Sequence, residues 1–534
     1  MGRILWMLTI AICACVAVSS GAEANCPRPP AGSVVAPPPD LYSEDGVLAV
    51  KFNYFTTVDA ADRTLFCFTT EKGIEAPTLH VKPGDRLDIT LTNRLPAPPS
   101  DAPSEIVSGR SNKCGDTTMT ESSVNMHFHG TNTAPACHSD EVVHTVVNSG
   151  ETFHYSLQFP ADEPPGLYWY HPHIHGLAEA AVLGGASGAI VVDGIAAVQP
   201  EVAGLPQRVL VIRDQNVAGN PTPGGVVPSW DVSLNYVPIA YPSFKPAVIR
   251  MKAGKREFWR VVNASADSIM DLQAVYDGVA QPLKVVALDG VPTGSQDGTR
   301  EGRGVTQTDI LIPPAGRAEF ILQAPSAKVR HAVFQTLNVD TGPDGDNDPQ
   351  RPLAKIETGR DVPWLPLTPA APMPAGRQRF EGLAEAKPTA TRRLYFSEVL
   401  SDPSNPASPT NFYITVDGAT PTLFDPSNPP AITTTQGSVE DWTIENQAGE
   451  NHEFHMHQIH FLLLAVNGVA VPKDQQQFYD TYQVPYWSGA GPYPSITVRM
   501  DFRGPDVGDF VYHCHILGHE DGGMMSIIRV VPRT

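Results

Sequence analysis

The chain has no basic footprint. Lys and Arg number 37 against 57 Asp and Glu, a net charge of −20, and no Lys/Arg-rich stretch stands out. Nucleic-acid binders carry clustered cations that neutralise phosphates, so that class is disfavoured. Long apolar runs at helical spacing are missing, and beyond the first two dozen residues nothing is long and apolar enough to span a bilayer. A Met-rich insert is also lacking: of 11 Met, two fall in the N-terminal stretch, and only Met524 and Met525 adjoin. With 18% charged and 41% hydrophobic residues, the chain is not of the disordered class. What is abundant is turn chemistry. The 52 Pro and 44 Gly break the chain into many short β-branched and aromatic runs, the pattern of an all-β protein. At 534 residues and about 150 per domain, three or four domains are expected, each able to bury a full core.

The first 24 residues read as a secretory signal peptide. Arg3 precedes an apolar run from Ile4 to Val18, and Ala22-Glu23-Ala24 supplies an A-x-A site, with cleavage before Asn25. There is no twin Arg, so the general secretory route is expected, toward a periplasmic or secreted location. Cys13 and Cys15 leave with this segment. Cys26, Cys67, Cys114 and Cys137 can form two disulfides in three pairings, with Cys26–Cys67 and Cys114–Cys137 taken as the working one. Cys514 is left alone between two His.

A motif recurs at domain spacing. Gly84 to Asn93, Gly254 to Asn263 and Gly437 to Asn446 each start with Gly and reach Asn nine residues later, with alternating apolar residues between, as in a half-buried strand. A second echo joins only the outer copies: Gly166-Leu167-Tyr168-Trp169-Tyr170-His171-Pro172-His173 and Gly508-Asp509-Phe510-Val511-Tyr512-His513-Cys514-His515. Three homologous β-sandwiches are expected over 25–195, 205–345 and 375–534, with chemistry in the first and third and the second as spacer. Asn263-Ala264-Ser265 is a glycosylation sequon that closes a repeat strand, which argues against its use.

Most of the 17 His fall in four clusters: His127-Phe128-His129, His171-Pro172-His173, His452-Glu453-Phe454-His455-Met456-His457, and His513-Cys514-His515 with His519 and Met524 beyond. Residues i and i+2 of a strand share a face, so each His-x-His presents two imidazoles together. Four such pairs exceed one zinc site. Imidazole with a thiolate and a thioether favours copper, and His452, Cys514, His519 and Met524 make a blue-copper set of two His, one Cys and an axial Met. Cys514 points away from His513 and His515, so the three can serve metals on opposite faces of one strand.

These motifs resemble the multicopper oxidases of the three-domain, laccase-like, bacterial type. The resemblance implies three cupredoxin-like Greek-key β-sandwich or barrel domains and four copper ions, one type 1, one type 2 and two type 3. By motif position, His452, Cys514, His519 and Met524 would hold type 1 copper. His127 and His455 would hold type 2 copper, and His129, His171, His173, His457, His513 and His515 the type 3 pair. The implied reaction couples four one-electron oxidations of a small reducing substrate to reduction of dioxygen to two waters. Glu520 and Asp140 stand where the family places proton-relaying carboxylates, although the loop around Asp140, with Cys137 and His138, departs from the family pattern. His175 and His460 are expected to support the clusters or the core, and His80, His138, His144, His154 and His331 to be structural. A phenol or aryl amine is the default donor. Fe(II), which calls for carboxylates beside the type 1 site, and Cu(I), which calls for thioethers, are the alternatives. A copper-sequestering protein without turnover and a nitrite reductase are the other classes; the latter lacks the six-His type 3 set.

Overall fold

The three repeat strands occupy equivalent places in three sandwiches. The computed structural model describes residues 25–99, 105–107, 114–115, 117–218, 227–296, 302–359, 378–405 and 407–533; the expected signal peptide and residues 360–377 of the second linker lie outside them. The repeat strands are Arg86–Asn93, Arg256–Asn263 and Val439–Asn446. Each pairs in parallel with the strand that opens its sheet, Val47–Val58, Gln207–Asn216 or Ala390–Leu400. Each pairs antiparallel on its other side, with Thr152–Gln158, Arg317–Gln323 or Ser495–Asp501.

The repeated end residues have the same work in every copy. Gly84, Gly254 and Gly437 take φ of 88°, 67° and 95°, a turn conformation that costs glycine nothing. Asn93, Asn263 and Asn446 are buried, and each Nδ2 donates to two carbonyls: Ser122 and Val147, Ser268 and Ile312, Glu450 and Val484. A buried amide that satisfies two backbone acceptors closes the end of a sandwich. It also makes Asn263 inaccessible as a sugar acceptor.

Each sandwich stacks two sheets around its own core. The first packs the sheet holding Arg86–Asn93 on a five-stranded sheet of Asp40–Tyr42, Thr78–Val81, Gly188–Val192, Gly166–His171 and His127–His129. The second packs an eight-stranded on a six-stranded sheet. The third packs the sheet holding Val439–Asn446 on one formed by Ile432–Thr435, Met525–Val531, Gly508–Cys514, His452–Met456 and Thr481–Val484. Disulfides Cys26–Cys67 and Cys114–Cys137 staple the first sandwich.

Apolar seams join the three bodies. Leu167, Trp169 and Val191 meet Val209, Val211 and Val262 between the first and second. Val142, Val143 and Val511, with Met525, close the first onto the third. Val291 meets Val439 and Leu462 between the second and third. Buried apolar seams of this kind hold domains rigidly, and they press the His-bearing sheets of the outer sandwiches together. Among the described residues no helix is long and apolar enough to cross a membrane.

Candidate metal centres

The four His-x-His pairs converge on one buried site. His127–His129 pairs with Gly166–His171, setting His127 opposite His171. In the third sandwich His455 lies opposite His513, and Phe454 opposite Cys514. The two-residue period of the strands turns His455 and His513 to one face and Phe454 and Cys514 to the other. The first face meets the first sandwich. There His127 stacks on His457 with ring centroids 3.9 Å apart, His129 stacks on His455 at 4.0 Å, and His173 Nε2 approaches His513 Nε2 to 3.3 Å. All eight rings are buried.

In five of the rings one nitrogen is anchored to a carboxylate or carbonyl oxygen. His127 Nδ1 meets Asp140 Oδ1 at 2.9 Å, and His129 Nε2 meets Asp480 Oδ1 at 3.1 Å. Carbonyls of Pro172, Asp480 and Cys514 take the Nδ1 of His171, His455 and His513, each at 2.8 Å. By contrast His127 Nε2, His129 Nδ1, His171 Nε2, His455 Nε2, His457 Nδ1 and both nitrogens of His515 are buried without a hydrogen-bond partner. Orphaned buried nitrogens in such number cost several kcal/mol if they stay empty, and they converge. His127, His455 and His457, then His127, His129 and His171, then His173, His457 and His513, each bring donor atoms within 4.8 Å of one another. Burial, then mutual repulsion, holds the pKa of His127, His129, His455, His457 and His515 well below the ordinary value, so these rings present the neutral form that binds metals. The donor set fits copper.

A second site lies across the same strand. His452 Nδ1 and His519 Nδ1 are 3.1 Å apart, and Cys514 Sγ is 3.6 Å and 3.7 Å from them. Cys514 is buried and is the free cysteine among the described residues. Met524 is buried in the same core, its N–H bonded to His519 O and its carbonyl to Cys514 N–H. The short helix Leu517–Asp521 brings His519 back onto the strand.

Both expected carboxylates reach the eight-His cluster. Asp140 is buried; its Oδ1 also accepts from Phe128 N–H and its Oδ2 from Gln458 Nε2. Glu520 is buried 3.5 Å from His173 Nδ1 and 3.2 Å from His513 Nδ1. Burial pushes both carboxyls well above the usual range. His460 Nε2 donates to Asp289 O, 2.8 Å away, and His175 packs edge-on to Phe424, both in supporting places. His80 is buried between Asp40 and Asp193.

Other residues of the sites carry no local sequence signal. Asp480 and Thr481 contact His129 and His455. Glu398 Oε1 lies 2.9 Å from His452 Nε2, without hydrogen-bond alignment, and Glu450 Oε1 lies 3.4 Å from His519 Nε2. Burial and the neighbouring Glu398 push the Glu450 carboxyl upward. Asp346 and Glu179 add negative potential at His519.

Residues 117–196 and 403–534 match family models described as multicopper oxidase. The chain is similar to the rice (Oryza sativa subsp. japonica) protein named multicopper oxidase LPR1 homolog 1, 23% identical over 91% of this chain and 88% of that one. It is similar to a laccase of Bacillus subtilis, 23% identical over 70% of this chain and 72% of that one. Among solved structures, a Campylobacter jejuni multicopper oxidase described as a metallo-oxidase superposes with TM-score 0.67 at 21% identity, covering 95% of this chain and 96% of that one. McoA of Aquifex aeolicus gives 0.66 at 18% identity, covering 94% and 99%.

Proposed function

The chain belongs to the multicopper oxidase family of copper-dependent oxidoreductases, and within it we propose a metallo-oxidase that takes electrons from Fe(II) and passes them to dioxygen. The observation that carries this reading is the carboxylate pair at the outer edges of the type 1 histidines. His452 and His519 turn Nδ1 toward Cys514, so their Nε2 edges face away from the metal position. Glu398 and Glu450 stand at those two edges. Carboxylate oxygens suit a hard divalent cation, and Cu(I) would call for thioethers. Sequence alone makes a phenol the default; carboxylates gathered from residues 398 and 450 move the reading to a cation.

The ligand assignment is carried over from the family's motif positions, and the convergence of the buried histidines supports it. His452, Cys514, His519 and Met524 would hold type 1 copper; His127 and His455 type 2; His129, His171, His173, His457, His513 and His515 the type 3 pair. Bound there, four copper ions would accept electrons singly and deliver four to dioxygen, forming two waters. The chain's own part is to connect, orient and protonate. Cys514 is covalently continuous with His513 and His515, which gives two short through-bond links between the sites. Asp140 orients His127 and holds a proton beside it. Glu520 holds one between His173 and His513, where a neutral buried carboxyl can act as general acid. The two disulfides and the N-terminal apolar run support export to an oxidising compartment.

The test is oxygen uptake by copper-loaded protein given Fe(II), Cu(I) or a dimethoxyphenol at matched pH. A higher kcat/KM with Fe(II) is expected. A higher value with the phenol contradicts the metal-ion reading, and no uptake with any donor would make the chain a copper-sequestering protein.

A further inference from the structure

The middle sandwich gives no histidine to the cluster, yet one of its side chains reaches it. Arg317 opens the strand Arg317–Gln323 of that sandwich and is fully buried. Its Nη1 donates to Asp480 Oδ1 at 2.7 Å, and its Nη2 pairs with Asp480 Oδ2. Its Nε donates to Leu167 O of the first sandwich at 3.2 Å. One guanidinium thus ties all three bodies together.

Asp480 then holds two histidines from different sandwiches. Its Oδ1 accepts from His129 Nε2 at 3.1 Å, and its backbone carbonyl from His455 Nδ1 at 2.8 Å. The Thr481 hydroxyl lies 3.0 Å from Asp480 Oδ1 and 3.1 Å from His455 Nδ1. Behind them, Asp289 Oδ2 accepts the N–H of Asp480 and of Thr481 at 3.2 Å and 3.3 Å, which fixes this backbone. A neutral imidazole that donates from one nitrogen is unprotonated at the other. Asp480 therefore leaves His129 with Nδ1 free, the reverse of His127, His171 and His455, which leave Nε2.

Two observations set this apart from an ordinary interdomain ion pair. A buried ion pair is costly to desolvate and is often replaced by apolar residues without loss of stability, so stability alone does not account for it. The chain also makes room for it. Gly130, directly after His129, has φ of 82°, and a Cβ there would overlap Arg317 Nη2 and Asp480 Oδ2. The ion pair and the ligand strand are built around each other.

We propose that Asp480 and Arg317 are positioning residues of the dioxygen-reducing cluster: Asp480 selects the inward nitrogens of His129 and His455, and Arg317, from the sandwich without ligands, aims Asp480. The proposal rests on the copper reading of the cluster, which the copper count of the wild-type protein checks separately. The variants are Asp480→Asn, which keeps the volume but offers one acceptor where the carboxylate uses two, and Arg317→Lys, which keeps the charge but loses the fork. Each is measured for copper per chain, affinity of cluster copper by chelator competition, the EPR-visible share of copper, kcat, and KM for Fe(II). Removing such an outer partner costs about 10- to 100-fold in metal affinity or activity. Asp480→Asn should lose that much in cluster copper affinity or kcat and change the EPR-visible share, with the blue absorption and KM for Fe(II) unchanged. Arg317→Lys should shift the same quantities less. If Asp480→Asn fails to fold, Arg317→Lys and Thr481→Val carry the test. Variants that lose thermal stability but keep wild-type copper affinity, EPR and kcat would overturn the proposal and leave a plain interdomain clamp. Wild-type protein that binds no copper at these histidines would instead overturn the cluster reading.

Discussion

Replacing Glu398 and Glu450 together by Gln should weaken Fe(II) and leave a phenol alone. Two unit charges about 4 Å apart interact by about 4 kcal/mol at an effective dielectric of about 20. Both carboxylates keep some contact with water, with side-chain exposures of 15% and 11%. Screening at such partly open sites leaves about 1 to 2 kcal/mol. At 1.4 kcal/mol per factor of ten, that is a rise of about 5- to 30-fold in KM for Fe(II). The assay is initial oxygen uptake against Fe(II) and against a dimethoxyphenol at matched pH. Equal changes in KM for both donors, or none for Fe(II), would refute the argument that these carboxylates hold the cation.

Three further outcomes follow from the structure. Cys514→Ser should remove the blue absorption, one copper per chain and turnover together, because its sulfur, 3.6 Å and 3.7 Å from His452 and His519, would supply the thiolate of the proposed type 1 site; surviving turnover would misplace the electron-accepting site. His80 is held above its ordinary pKa: burial opposes the shift, and Asp193 and Asp40 outweigh it. A raised folded-state pKa gives stability that is full below the unfolded value and lost as pH rises through the folded one, so the Tm deficit of His80→Gln should be larger at pH 5 than at pH 9, and a pH-independent deficit would contradict this. The Cys26–Cys67 disulfide spans a sequence separation of 41, worth up to about 4 kcal/mol in the chain-entropy view; the Cys26→Ser/Cys67→Ser protein should lose a sizeable part of that in urea unfolding, and an unchanged midpoint would contradict it.

The histidine-bearing strands were legible in the sequence because their information is local. A His-x-His shows its shared face by the period of the strand alone, and the opposite facing of Cys514 needed no tertiary knowledge. The pairing of His455 with His513 and of Phe454 with Cys514 bears this out. The repeat was legible for the same reason, since Gly and Asn mark a turn and a sandwich end in each copy. What escaped is what depends on approach between distant segments. Glu398 meets His452 from another strand, and Arg317 meets Asp480 across 163 positions of chain. Neither side chain carries a spacing that announces its partner. The expectation of the middle sandwich as a spacer misses Arg317, whose buried fork touches both neighbours.

In the proposed reaction, electrons collected at the His452–Cys514–His519 site reduce dioxygen fully at the eight-histidine cluster. The most direct measurement is the ratio of Fe(II) oxidised to dioxygen consumed by the copper-loaded protein, with hydrogen peroxide assayed in parallel. Four Fe(II) per dioxygen and no peroxide are expected. Two Fe(II) per dioxygen with stoichiometric peroxide, or Fe(II) bound without oxygen uptake, would contradict the proposed reaction.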